Sequence, residues 1–367
     1  LSPNSESAAA AGRLEPLDVL RGLAVVSVVL SHFTSQYRQR LNLSNWTIPI
    51  NYSSVGVEAF FMISGLVITA SLARNTDGRN FAESRFARLF PAYWVAVLFA
   101  ALLGAVFTDA PSLQHASLGE VAVNMTMLAG FFRVAEFPEV GWTLGVELAF
   151  YALAWLAASR GLLKGRYLYY TAIGWMLTTS ALHLVAYSTN NELLIYASDT
   201  LLVARFAPMF ALGMSWFTVW SARRRATPLP RVDLAWLVAT MTCAMVLLRA
   251  YGTSRSMAGL IAINLFFLAT LFGRLDFLAT RPLVFLGTIS YATYLVHQPL
   301  GIVMLHFGRS AGLPPTLTVA IAVVVVFLAG TALCFGVERP MWRRLSARRR
   351  RTIPAPPTAV ASRRLPR

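Results

Sequence analysis

Ten apolar runs, parted by short connections rich in arginine, constrain this chain more than any other feature. A bilayer core about 30 Å thick is crossed by roughly 20 helical residues. The runs fall at 17–35, 54–73, 89–108, 142–159, 167–187, 196–220, 232–249, 257–273, 283–305 and 316–336. Only 13% of residues are charged against 56% hydrophobic, whereas a soluble chain is about a quarter charged. That leaves too few charges to coat two or three soluble domains. The 16 acidic residues exclude an acidic, disordered chain, and the net charge of +16 is spread between the runs rather than gathered into a nucleic-acid patch. The expected fold class is therefore all-α, a polytopic membrane protein of about ten transmembrane helices with no nucleic-acid partner.

Arginine and lysine set the orientation, because they are retained on the cytosolic side. With the N-terminus in the cytosol, the cytosolic segments carry 24 of the 32 basic residues and the outer segments 6, so both termini are expected in the cytosol. The first run does not read as a cleavable signal: Asp18 and Arg21 sit in its start and no small-residue cleavage pattern closes it. The reading gives a cytosolic segment over 1–13, a transmembrane domain over 14–345 and a basic, disordered cytosolic tail over 346–367 that leans on anionic lipid. The connection 109–141 is too long and apolar for a simple outer loop, and a re-entrant or interfacial helix is expected over Val121–Phe132. Asn42, Asn45, Asn51 and Asn124 begin Asn-x-Ser/Thr triplets on the outer side. Such triplets are common by chance. Cys243 and Cys334 lie in apolar runs, which excludes a disulfide framework and a cysteine zinc site; no metal is expected.

Ionisable side chains inside a span cost about 2.5–3.5 kcal/mol each and so point to function. Counting 1.5 Å per residue from the run edges places His32, His297, Glu147 and Glu58 in one layer, about 20 Å above the cytosolic face. A carboxylate beside an imidazole fixes its tautomer and suits it to general-base work. The competing reading of each histidine is a hydrogen-bonded packing residue, and that of Glu58 a helix N-terminal role. A second, basic layer is cytosolic. Arg85 and Arg88, three apart, share one helical face suited to a phosphate-rich ligand. Arg21 lies about 6 Å into the first span, within reach of that ligand or of Asp18. Ordinary positive-inside charge is the alternative for this layer. Trp142, Trp46 and Tyr52 offer faces for a sugar, although interfacial aromatics are common in membrane proteins.

These residues fall in a recognisable order. Leu17-Asp18-Val19-Leu20-Arg21-Gly22-Leu23-Ala24 followed by His32 resembles the opening of the acyltransferase-3 family of integral-membrane O-acyltransferases. Phe60-Phe61-Met62-Ile63-Ser64-Gly65, Arg85-Phe86-Ala87-Arg88 and Trp142-Thr143-Leu144-Gly145-Val146-Glu147 with Phe150-Tyr151 are similar to its later elements. So are Ser290-Tyr291-Ala292-Thr293-Tyr294-Leu295-Val296-His297-Gln298-Pro299 and Glu338-Arg339-Pro340. Thr143 and Gly145 depart from the commoner serines of the tryptophan block. The resemblance covers residues 14 to 345 and implies transfer of an acyl group, most often acetyl, from cytosolic acyl-CoA (acetyl-CoA) to a hydroxyl of a sugar, glycolipid or other envelope molecule. It implies that His32 is the essential histidine, with Arg21 its basic partner, and that Arg85 and Arg88 handle acyl-CoA. Taken with the reading of the residues themselves, the expected site has His32 and Glu147 as catalytic, Arg21, Arg85 and Arg88 on acyl-CoA, and His297, Tyr294 and Trp142 on the substrate. The expected location is a bacterial cytoplasmic (inner) membrane. The alternative of a different class is a transporter or flippase of a lipid-linked sugar, but the paired halves with broken helices common in transporters are not evident in the sequence.

Overall fold

A computed structural model describes residues 15–36, 53–108, 110, 115–225, 227–228, 230–251 and 254–352. Asn42, Asn45, Asn51, Trp46, Tyr52, the segment 1–13 and the tail beyond 352 lie outside them. The described residues form helices and turns and no strand. The helices are α1 (Glu15–Ser31), α2 (Ser53–Arg74), α3 (Gly78–Val106), α4 (Leu118–Asn124), α5 (Trp142–Ser159), α6 (Tyr167–Ser188) and α7 (Glu192–Tyr196). After them come α8 (Ala207–Arg224), α9 (Arg231–Ala250), α10 (Ser254–Leu271), α11 (Arg281–Ser310), α12 (Pro315–Leu333) and α13 (Arg339–Thr352). Each of the ten apolar runs overlaps one of them.

Among the described residues, six stretches are long and apolar enough to cross a bilayer: Glu15–Ser35, Val55–Arg74, Gly78–Val106, Glu139–Ser159, Arg231–Ala250 and Pro315–Ala347. The outer surface explains what surrounds them. Leu102, Val246, Val324 and Leu328 are each more than half exposed, and faces this apolar belong against lipid. The protein is an integral membrane protein. The helices outside the six include α8, buried along most of its length, and α11, which carries Gln298 and His297 in its middle. A helix enclosed by other helices has no need of a continuous apolar surface, so hydropathy and burial part company there.

Two groups of helices meet at the centre. α11 packs on α1, α12 and α3, α8 packs on α2, α6 and α9, and α1 against α2 joins the groups. Close approach is secured by glycine: a Cβ on Gly287 would strike the backbone of Asp18 in α1, and one on Gly213 of α8 the Met62 carbonyl of α2. The third apolar run starts earlier than hydropathy suggests, because Asp77 caps α3 through Arg79 N at 3.0 Å and Arg79 pairs with Glu83 at 2.8 Å.

Two departures from the sequence reading bear on the site. The helix expected over Val121–Phe132 is α4 followed by a 3-10 turn at Ala129–Phe132, parted by Met127 at φ 61°. Asn124, fully buried, donates to Glu120 O and Ala135 O and accepts from Phe137 N. Its Asn-Met-Thr triplet is thus a structural stitch. The sixth run, read as continuous over 196–220, is broken between a π-turn at Ala197–Leu201 and α8. Towards the C-terminus, α13 runs through Thr352.

Candidate active site

An open cavity lies between α1, α2, α3, α5 and α11. At one end stand Arg21, Arg85 and Arg88, at the other Tyr294, Thr143 and Phe60. The arginines come from two helices. Arg85 and Arg88 occupy one turn of α3, just before its apolar part, and Tyr291 Oη ties α11 to that turn by donating to Leu89 O at 2.8 Å. Arg85 lies over the rings of Phe81 and Tyr151 at 5.7 and 6.0 Å, which fixes the plane of its guanidinium. Arg21 pairs with Asp18 at 3.6 Å, one turn back on α1. The carboxylate among them is Glu147: Ser64 Oγ donates to it at 2.8 Å and Tyr151 Oη at 2.5 Å, and it interacts electrostatically with Arg21 and Arg85.

Beyond Tyr294 lies a pair of imidazoles. His297 is fully buried, His32 half-buried, and His32 Nδ1 stands 2.9 Å from His297 Nε2. His297 Nδ1 lies 2.6 Å from the Tyr294 carbonyl oxygen. A carbonyl can only accept, so His297 carries its proton on Nδ1 and, in the neutral ring, accepts on Nε2. His32 Nδ1 is then the donor, which leaves Nε2 as the acceptor nitrogen of the neutral His32 ring. His32 opens a π-turn, His32–Gln36, a local widening often found at functional sites.

A clamp closes the same end. Gln298 accepts from Val140 N at 3.1 Å and donates to Glu139 at 2.6 Å, while Thr143 Oγ1 meets Tyr294 Oη at 3.0 Å. Gln298 lies about 25 Å along α11 from Arg281. The first turn of α5 is therefore held inside the bundle, level with Gln298, rather than at the outer surface.

That position corrects the expected single layer. The two histidines meet, but Glu147 does not join them. It bonds Ser64, six residues further along α2 than Glu58 and so about 9 Å deeper. Depth counted from Trp142 as a surface residue was wrong because α5 starts below the surface. Trp142 packs on Phe61 and Phe206 with centroids at 6.5 and 5.3 Å, behind the cavity wall rather than in it. Gly22 packs on Leu286 and Gly287 and does not line the cavity. Ser64, Tyr151, Tyr291 and Gln298 were not singled out from the sequence, although all four stand within the quoted motifs. Thr143, a departure from the family's serine, keeps a hydroxyl that bonds Tyr294. Among the described residues no group of His, Cys, Asp and Glu could hold a metal ion.

The comparisons with known proteins fit this geometry. Residues 15–338 match the acyltransferase-3 family, described as an acyltransferase domain. The chain is 25% identical to the peptidoglycan O-acetyltransferase OatA of Listeria monocytogenes, over 77% of this chain and 49% of that protein. It is 27% identical to the acyltransferase MdmB of Streptomyces mycarofaciens, over 95% of this chain and 97% of that one. It is 29% identical to the exopolysaccharide production protein ExoZ of Rhizobium meliloti, over 81% and 92%. The chain spans about half the length of several relatives that it matches. No solved structure matches it. The match over 15–338 takes in every helix from α1 to α12 and the whole cavity, and the chain belongs to the acyltransferase-3 family.

Proposed function

We propose that this protein is a membrane O-acyltransferase that moves an acetyl group from acetyl-CoA, held at the cytosolic side, to a hydroxyl of a cell-envelope carbohydrate. The observation that carries this reading is the chain from the Tyr294 carbonyl through His297 to His32, joined to one end of a cavity whose other end holds three arginines. The names of the relatives, which include a peptidoglycan O-acetyltransferase and an exopolysaccharide production protein, favour a carbohydrate acceptor. The ten-span topology with cytosolic termini, in a bacterial inner membrane, belongs to the same proposal.

His32 Nε2 takes the proton of the acceptor hydroxyl, and the oxygen attacks the thioester carbonyl. The tetrahedral adduct collapses, the carbon–sulfur bond breaks, and the CoA sulfur receives the proton back from His32. No proton is gained or lost overall. Arg21, Arg85 and Arg88 hold the phosphates, a task for which forked guanidiniums are better fitted than lysine. Glu147 serves this donor end: it takes the Tyr151 hydroxyl and balances the arginines, rather than backing the base. The acceptor meets the thioester beside Tyr294, away from bulk water, which limits hydrolysis.

The test is transfer of radiolabel from acetyl-CoA to an N-acetylglucosamine oligosaccharide by purified protein in nanodiscs. His32→Ala is expected to lower turnover by about 10²–10⁴-fold, with unchanged acetyl-CoA binding. Arg85→Gln with Arg88→Gln is expected to weaken acetyl-CoA binding. Transfer at the wild-type rate by His32→Ala overturns the base assignment. In proteoliposomes, movement of a lipid-linked sugar across the bilayer without a covalent product favours the transporter.

A further inference from the structure

The break in the sixth run is more than an irregularity. After the π-turn at Ala197–Leu201 the backbone is non-helical over 202–206, and Val203, fully buried, sits at φ 49°. A β-branched residue in the left-handed region is a true outlier, and such strain persists where the surroundings enforce it, commonly at ligand sites. Non-helical backbone at membrane depth is tolerated where protein encloses it or it lines a polar cavity.

A polar cluster is built on this break. Asp199, in the π-turn, lies 2.6 Å from His183 Nδ1 and accepts from Tyr187 Oη at 3.0 Å and Ser198 Oγ at 3.2 Å. The ionised carboxylate only accepts, so His183 Nδ1 carries a proton and, in the neutral ring, its Nε2 is an acceptor. The rings of Tyr187 and Tyr251 flank the imidazole at 4.4 and 4.7 Å. Tyr187 is 51% exposed, and Arg205, exposed at the other end of the break, interacts with it electrostatically. None of these residues lines the cavity described above. The two are linked through one aromatic stack: Phe206, next to Arg205, packs on Phe61 of the cavity wall at 4.9 Å.

We propose that the cluster of His183, Asp199, Tyr187 and Arg205 is a distal subsite for a carbohydrate acceptor, holding a sugar unit beyond the one that is acylated. The inference rests on the acyl-transfer reading for what the acceptor is used for. The chemistry of the cluster selects a sugar. An exposed aromatic face suits the apolar face of a pyranose, while the imidazole Nε2 accepts and the guanidinium donates to ring hydroxyls. An anionic headgroup would meet the Asp199 carboxylate, and an apolar chain would leave the polar groups unpaired. A tyrosine that only marks the membrane interface needs neither a His–Asp pair nor a strained break behind it.

The full chain in nanodiscs is titrated calorimetrically with tetra-N-acetylchitotetraose, with N-acetylglucosamine and with acetyl-CoA. Asp199→Asn and Arg205→Gln are each expected to weaken the tetrasaccharide by about tenfold or more, with the monosaccharide and acetyl-CoA unchanged. Asp199→Glu, which keeps the charge, is expected to recover part of the loss. Arg205 is exposed, so its variant keeps the test open if Asp199→Asn fails to fold. Equal tetrasaccharide affinity in both variants, or no tetrasaccharide binding by the wild type, overturns the subsite. A loss of acetyl-CoA binding by the wild type, with the tetrasaccharide pattern intact, strikes the donor reading instead.

Discussion

His297 is fully buried and reaches the cavity only through its neighbours, yet it decides which nitrogen of His32 carries the proton. If it acts as a positioning residue, its loss should fall on turnover and not on donor binding. His297→Leu is expected to lower kcat by about 10–100-fold, a share of what a positioned base supplies, with acetyl-CoA binding unchanged. His297→Gln, whose carbonyl can accept from His32 Nδ1–H, should restore part of it. The two effects should also fail to add: His32→Ala with His297→Leu should be no slower than His32→Ala alone, and a further drop would show that His297 acts on its own. At this scale much was legible. Arg21 and His32 stand out by their resemblance to the opening pair of the family, Arg85 and Arg88 by sharing a helical face, and His297 by its cost in a span. The partner of Glu147 was not legible, because it depends on where α5 starts, and residue counting assigned that start to the membrane surface.

The start of α5 is fixed by elements that hydropathy does not report. The 118–141 connection folds back into the bundle through Asn124, which holds Ala135 and Phe137, and through Gln298, which holds Glu139 and Val140. Asn124→Ala removes both ends of the first stitch and leaves the buried Phe137 N–H without its acceptor, a cost of about 1–3 kcal/mol. A lower melting temperature is expected, together with reduced turnover as α5 and its Thr143–Tyr294 bond lose register. Turnover falling with no change in melting would place Asn124 in the chemistry instead. Ten apolar runs were enough to find the helices, since hydropathy reads lipid contact well. The breaks were harder. Val203 carries no sequence mark of a left-handed conformation, and the π-turns at His32 and Ala197 leave the hydropathy of their runs unbroken.

The architecture sets the distance between donor and base through one helix crossing. α1 and α11 run parallel, with Asp18 and Gly22 against Gly287 and, further along, His32 against His297 and Phe33 against Gly301. Gly22 precedes His32 by the same ten residues by which Gly287 precedes His297, about 15 Å of helix. Equal offsets on parallel helices mean that the glycine contact and the histidine contact are two points on one seam. Arg21 leaves α1 beside the first point and enters the cavity there. The seam therefore fixes the span from an arginine of the proposed donor site to the proposed base, and a shift at the glycines must be felt at the imidazoles. A Cβ on Gly287 meets the Asp18 backbone, which cannot swing aside as a flexible side chain would. Overpacking of this kind costs about 1–3 kcal/mol, so Gly287→Ala is expected to yield folded protein of lower melting temperature and reduced kcat, and Gly287→Val to lose the fold. The separation of effects is the test. Acetyl-CoA binding, which draws on Arg85 and Arg88 of α3 as well, should change less in Gly287→Ala than turnover does. Turnover at the wild-type level in a folded Gly287→Ala protein would show that the imidazoles keep their contact without this crossing.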